Sequence, residues 1–163
     1  MRGDINYCQR CGVELAEKQI EGRLRHYCPS CDFVVYLDPK VAAAVLVSDG
    51  HNLLMVKRGV EPAMNRWAFP SGYVDRGEVV ERAAVREVKE ETGLDIDLDQ
   101  FVGLYSLEGN PVILAVYSAH TTGGEIQAGH DAQEAAWYPT NDLPDLPFPN
   151  DQQILDDWRA LTG

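Results

Sequence analysis

The chain has 163 residues, 45% of them hydrophobic and 25% charged, and a formal net charge of −12. That size suits one ordinary domain plus a small module, and no apolar run approaches the ~20 residues that span a bilayer. So acidic a surface argues against duplex nucleic acid, which is bound through Lys and Arg, but not against a small anionic substrate, because bound divalent cations reverse the local sign.

The opening residues, MRGDINYCQR, lack the apolar core of a signal peptide, so the expectation is a cytoplasmic protein. All four cysteines follow within two Cys-x-x-Cys pairs, Cys8–Cys11 and Cys28–Cys31. Between them, residues 12–26 are too polar for a core of their own. Residues 33–37 (FVVYL) read as a strand, and Asp38-Pro39-Lys40 breaks the pattern. The expected division is a small module over 1–37 and a larger domain over 38–163.

In the second part, residues 41–47 form an apolar run of strand length. Ser48-Asp49-Gly50 is a turn and 53–57 a returning strand, which together predict a hairpin. Residues 59–65 read as loop, and 67–69 as a short strand stopped by Pro70-Ser71-Gly72. A helix is expected from the stretch GYVDRGEVVERAAVREVKEETGL, Gly72 to Leu94, with Gly93 as its C-terminal stop. Strands follow at 101–106 and 112–119, then a turn at 121–124 and a last strand at 134–138. Residues 142–149 are Pro-rich loop with room for one helical turn. Asn150 is placed to cap a terminal helix over 152–161, whose Ile154, Leu155, Trp158 and Leu161 have apolar helical spacing.

Two Cys-x-x-Cys turns bring four thiolates to one tetrahedral metal, the pattern of a structural zinc site. Gly12 can take the left-handed conformation such a turn favours, and Asp32 tolerates it better than most residues. Two disulfides or a redox pair are the alternatives. Disulfides are rare in the expected compartment, and a redox pair leaves the second Cys-x-x-Cys unexplained. His26 reads as a surface residue. A closed four-sulfur shell has no open position, so the module is expected to be scaffolding.

The helix raises a question. At about 100° per residue, Glu87, Glu90 and Glu91 share an arc of roughly 100°, and like charges at this spacing cost roughly 0.2–0.5 kcal/mol per pair. Val80, Ala83 and Ala84 lie on or near the same side, so the acids continue an apolar face. Lys89 does not sit among them. Partly buried carboxylates need cations, and magnesium, a hard ion that works with phosphates, suits them.

Gly72, five residues, Glu78, seven residues, then Arg86-Glu87-Val88-Lys89-Glu90-Glu91-Thr92-Gly93-Leu94 resembles the Nudix box without departure, and Trp67-Ala68-Phe69-Pro70-Ser71-Gly72 resembles the family's lead-in. The resemblance runs from about Val41 to the C-terminus. It implies an α+β Nudix fold, a mixed β-sheet sandwiched between helices, here preceded by a small zinc ribbon. It also implies hydrolysis of a nucleoside diphosphate linked to another group, with Mg2+ or Mn2+. Carried over, Glu87 and Glu91 are the main metal ligands, Glu90 assists, and the backbone carbonyl of Ser71 or Gly72 adds a ligand. Arg86 holds Glu87, Glu78 supports the loop–helix geometry, Gly72 and Gly77 shape the turn, and Gly93 caps the helix. A base from a downstream loop is expected, with Glu134 the first candidate and His130 and Asp131 weaker ones.

A four-cysteine ribbon before such a domain resembles two groups, NADH pyrophosphatases and enzymes acting on FAD or ADP-ribose. The Pro-, Trp- and Phe-containing array of the first is absent where Leu107-Glu108-Gly109-Asn110-Pro111 stands. Gly22 to Pro29 and Tyr36 to Lys40 resemble the second. Tyr73, Tyr105 and Phe148 are candidate base-stacking rings, and Arg58 and Lys57 candidate phosphate contacts. The competing reading is a nucleotide or RNA-binding sensor, or a decapping module, that docks through the ribbon. A homodimer is expected by analogy, with 33–37 contributing to its interface.

Overall fold

The structure is a computed structural model and describes residues 5–129 and 131–162. The chain divides into two compact units on either side of the Asp38–Pro39 junction.

The first unit is built on two matching turns. Cys8 N–H bonds the Val13 carbonyl and Gly12 N–H the Cys8 carbonyl, at 2.8 and 2.9 Å. Cys28 N–H bonds Phe33 and Asp32 N–H bonds Cys28 at the same two distances. Gly12 (φ 74°) and Asp32 (φ 55°) are both left-handed, as each turn requires. The polar stretch between them folds into a hairpin, β1 (Ala16–Ile20) antiparallel to β2 (Arg23–Tyr27). Glu21 and Gly22, at φ 52° and 76°, form its two-residue turn. Residues 33–37 are not a strand. Phe33 closes the second cysteine turn, Val34 makes one isolated bridge to Tyr27, and Tyr36 and Leu37 are exposed. The strand expected to line a dimer interface is therefore absent.

The second unit is organised by β3 (Lys40–Val47). Its apolar run is continuous because it is covered on both faces, as in other buried strands. Ala43, Val45 and Val47 face one core with Ala84 and Val88 of α1 (Val80–Thr92). Ala44 and Leu46 face another with Ile154, Leu155 and Trp158 of α2 (Asp151–Thr162). Strand β3 is the second strand of a mixed four-stranded sheet ordered β6-β3-β8-β7. It runs antiparallel to β6 (Ser71–Tyr73) and parallel to β8 (Val112–Gly124), which is antiparallel to β7 (Leu94–Ser106). A mixed sheet between two helices is thus what the fold delivers. A second, antiparallel sheet joins β5 (Trp67–Ala68), β4 (Asn52–Arg58) and β9 (Ala132–Pro139).

Several sequence expectations change. Strands β3 and β4 do not form a hairpin: past one bridge, Ser48 to Leu53, they enter different sheets. The helix occupies only the later part of the stretch Gly72 to Leu94, beginning at Val80, close after Glu78. Gly72 belongs to strand β6, and the loop after it contains Gly77 at φ 89°. Strand β7 starts at Leu94, directly after Gly93, and the expected turn at 121–124 is strand that pairs with it. Residues 142–149 carry no helical turn. Asn150 contributes its carbonyl to Ile154 N–H, and Leu161 is exposed. No described helix is long and apolar enough to cross a membrane.

Candidate functional site

Strand β6 lays Ser71, Gly72 and Tyr73 against β3, and a loop then turns the chain into α1. Arg86 ties these pieces together. Its Nε and one Nη2 hydrogen bond the Glu78 carboxylate at 2.8 and 2.9 Å. The second Nη2 hydrogen goes to the Tyr73 carbonyl at 3.0 Å. Nη1 donates to Glu87 Oε1 at 2.7 Å and to Glu90 Oε2 at 3.2 Å. All five N–H donors of a guanidinium are thereby used. Glu78 also accepts from Asp75 N–H at 3.0 Å. The Arg86 hydrogen bonds, helped by that N–H, hold its carboxyl down at about 2.

Glu91 behaves differently. It continues the stripe of Ala84 and Val88 into the protein and is only 8% exposed. Its Oε2 accepts a 2.9 Å hydrogen bond from Ser71 N–H. Burial pushes its pKa up to about 8; the Ser71 N–H opposes this, Glu87 adds to it, and the charges of Arg58 and Asp131 also reach it with opposite signs. Burial raises the Glu87 carboxyl as well. Among the described residues the three glutamates do not converge as a metal-sized cluster, because Arg86 draws Glu87 and Glu90 to itself while Ser71 holds Glu91.

Glycine is required at two places. A Cβ on Gly72 would overlap the Glu87 carboxylate, which lies directly over that α-carbon. A Cβ on Gly129 would overlap the Glu90 carbonyl. Gly129 N–H bonds the Glu91 carbonyl at 3.0 Å and Gln127 N–H bonds Thr92 at 2.9 Å. The loop after β8 is thus pinned to the end of α1, and Gly93 (φ 75°) gives it room. The loop then delivers Asp131, whose carbonyl accepts Gly59 N–H at 2.8 Å next to Arg58. This docking loop was missed in the sequence; the only sign of it was an isolated glycine in AGHD.

The other candidates scatter. Glu134 lies opposite Lys57 on paired strands and makes a 2.6 Å ion pair with it. Arg58 Nε bonds the Pro62 carbonyl, and its guanidinium sits 5.6 Å from the Phe148 ring centroid, so these two come together. Tyr73 is exposed, with the Lys40 ammonium 4.8 Å from its ring centroid. Tyr105 is a correction. It is buried in the second core with its hydroxyl bonded to Asp157 at 2.8 Å, so its ring has no open face for a base. His130 lies outside the described residues.

The four cysteine sulfurs all lie within 4.8 Å of one another. The pairs Cys8–Cys31, Cys11–Cys28 and Cys11–Cys31 are 3.6, 3.4 and 3.6 Å apart. These distances are far beyond a disulfide bond and near the ~3.8 Å edge of a tetrahedron with 2.3 Å metal–sulfur bonds. The donor set fits a zinc ion, and all four cysteines are free thiols.

A NUDIX domain profile matches residues 38–158. An ADP-ribose pyrophosphatase of Methanocaldococcus jannaschii is 39% identical over 133 residues, 79% of each chain. The NAD-capped RNA hydrolase NudC of Stutzerimonas stutzeri is 31% identical over 142 residues, 86% of this chain but only 50% of that protein, so the chain spans about half of such relatives. The crystal structure of a NUDIX hydrolase from Nitrosomonas europaea superposes with a TM-score of 0.85 at 24% identity, covering 95% of this chain and 89% of the other. The chain belongs to the NUDIX family; it is a Nudix hydrolase, and such enzymes act on small nucleotides with a divalent metal ion.

Two outcomes follow. In cation-free protein the folded state holds the Glu91 proton more tightly than the unfolded chain, whose value is near 4.5. That contribution to stability is full below 4.5 and is lost as pH rises towards about 8. Urea midpoints from pH 5 to 8 should fall in wild type and flatten in Glu91→Gln; parallel curves would refute the assignment. Gly72→Ala should lower kcat at least tenfold with little change in thermal midpoint, since the flexible carboxylate of Glu87 is what must move; steady-state kinetics and calorimetry on one preparation check this.

Proposed function

We propose that the chain is a magnesium-dependent pyrophosphohydrolase that splits the diphosphate of ADP-ribose, or a similar conjugate such as FAD, into two monophosphates. The observation that carries this is the buried Glu91, fixed to Ser71 N–H beside an Arg86-clamped Glu87. Such a carboxylate is costly to ionise alone and is stabilised by a cation. The choice of ADP-ribose is supported by the Methanocaldococcus relative, which is matched over most of its length.

Glu87, Glu90, Glu91 and the carbonyl of Ser71 or Gly72 would hold the ion, an all-oxygen set of the kind magnesium prefers. When bound, the ion supplies charge neutralisation on the phosphates and eases the ionisation of water. Arg86 and Glu78 keep the loop and helix in register so that the carboxylates need little reordering. A water oxygen attacks one phosphorus, the bridging P–O bond breaks, and the departing monophosphate takes a proton from solvent.

We assign removal of the water proton to Asp131 in place of Glu134. The loop carrying Asp131 is pinned to α1, and its charge is felt at Glu91. Glu134 is engaged in an ion pair with Lys57. Arg58, next to Phe148, is proposed to meet the diphosphate, and Phe148 and Tyr73 to border the base. Lys57 is occupied by Glu134 and is left out. The four cysteines are proposed to hold a structural zinc ion, and cysteines not joined in disulfides suit the cytoplasm.

With magnesium, ADP-ribose should yield AMP and ribose 5-phosphate by mass spectrometry, alongside FAD and NADH as competitors. Glu91→Gln should cut kcat at least a hundredfold; wild-type turnover that survives this change would reject the metal assignment. Asp131→Asn should cost on the order of 10²–10⁴ in kcat, whereas Glu134→Gln should stay within a few-fold. The reverse order would return the base to Glu134.

A further inference from the structure

The ribbon's hairpin sorts its charges by face. Residues directly opposite across an antiparallel pair project to the same side. The register pairs Lys18 with Arg25, Ile20 with Arg23 and Ala16 with Tyr27. One face therefore carries three cations and a tyrosine, with no acid among the strand residues. The opposite face takes Glu17, Gln19, Leu24 and His26. The Lys18 ammonium lies 5.5 Å from the Tyr27 ring centroid, and the Arg25 guanidinium 4.6 Å from that of Tyr36. Lys18 and Arg23 are exposed, and Tyr36 is 54% exposed.

The acid closest to Arg25 is the turn residue Glu21, at 4.0 Å with its side chain 73% exposed. Such a pair contributes little. Residues 1–38 hold five of the chain's 14 Lys and Arg but six of its 26 Asp and Glu. Nearly all the acidic excess therefore lies in the second unit, and this face stands out as cationic in a strongly acidic protein.

A cationic strip that carries one exposed ring, Tyr36, and one half-buried ring, Tyr27, has a specific complement. Phosphodiesters meet the cations, and unpaired bases stack on the rings. A duplex buries its base faces and cannot use the tyrosines. An acidic peptide could meet the cations but has nothing to stack. We propose that this face of the ribbon binds single-stranded RNA, the single-stranded polyanion that cells contain in bulk. The proposal goes beyond the hydrolase reading and does not depend on which conjugate the second unit cleaves.

The test uses the zinc-loaded 163-residue chain and a fluorescent 12-nucleotide single-stranded RNA in a titration at low salt. Wild type should bind, and Lys18→Ala and Arg23→Ala should each lower the slope of log K against log salt by about 0.7. Tyr36→Ala should weaken binding about tenfold with the slope unchanged. ADP-ribose turnover should be unaffected in all three variants, which separates this idea from the hydrolase assignment. A 4-thiouridine RNA photocrosslinked to the wild-type protein should label the peptide holding Tyr27 or Tyr36, a readout that needs no variant. The proposal is overturned by no binding in wild type, by equal affinity for a blunt RNA duplex, by equal competition from polyglutamate, or by crosslinks confined to residues 39–163.

Discussion

The site depends on a single guanidinium. Arg86 joins Glu78 before the helix, the Tyr73 carbonyl in the edge strand, and Glu87 and Glu90 on its own helix. Charge-assisted bonds of this kind are roughly twice as strong as neutral ones, and a planar fork fixes direction as well as distance. A lysine could satisfy one or two of these acceptors at a time, but not all of them from one plane. Strand β6 and α1 are each also held to β3, by pairing and by packing; what the clamp adds is the direction of the Glu87 carboxylate relative to Gly72.

That direction matters because the carboxylate and the backbone share one space. The Glu87 carboxylate lies where a side chain at position 72 would be, so its placement rests on the absence of a Cβ. Glu91 is held by the same strand one residue earlier, through Ser71 N–H. Strand β6 itself is three residues long and keeps its place by pairing with the doubly buried β3. The order of support runs from a packed strand to an edge strand, then to two carboxylates. The two carboxylates sit at the least self-supporting end and borrow rigidity from the core.

The sequence showed the acidic site because helical spacing is local: residues three and four apart must share a face. It showed the cysteine site for a similar reason, since each Cys-x-x-Cys closes its own turn, and Gly12 and Asp32 take the expected left-handed backbone. Errors arose wherever a partner strand decided the outcome. The turn at Ser48-Asp49-Gly50 was legible, but the assignment of β3 and β4 to different sheets depends on residues about 70 and 80 positions away in β8 and β9. Thr121 and Thr122 read as a turn beside two glycines, yet their β-branched side chains suit the strand that β7 completes. Tyr105 was a plausible stacking ring until the fold turned it inward to Asp157.

The two downstream carboxylates show the same limit in chemical terms. By sequence, Glu134 and Asp131 are three residues apart, and Glu134 reads as the first candidate. The proposed reversal comes from register. Pairing of β4 with β9 sets Lys57 across from Glu134, and the irregularity between Lys57 and Arg58 shifts the next partner to Ala132. The ion pair across that ladder turns the Glu134 carboxylate towards Lys57. The two-for-one step at the bulge, together with the Gly59 bond to Asp131, hands the chain over to the loop pinned on α1. If Asp131 is the base, as proposed, the choice between the two carboxylates is made by a strand remote in sequence, and no motif confined to the helix can encode it.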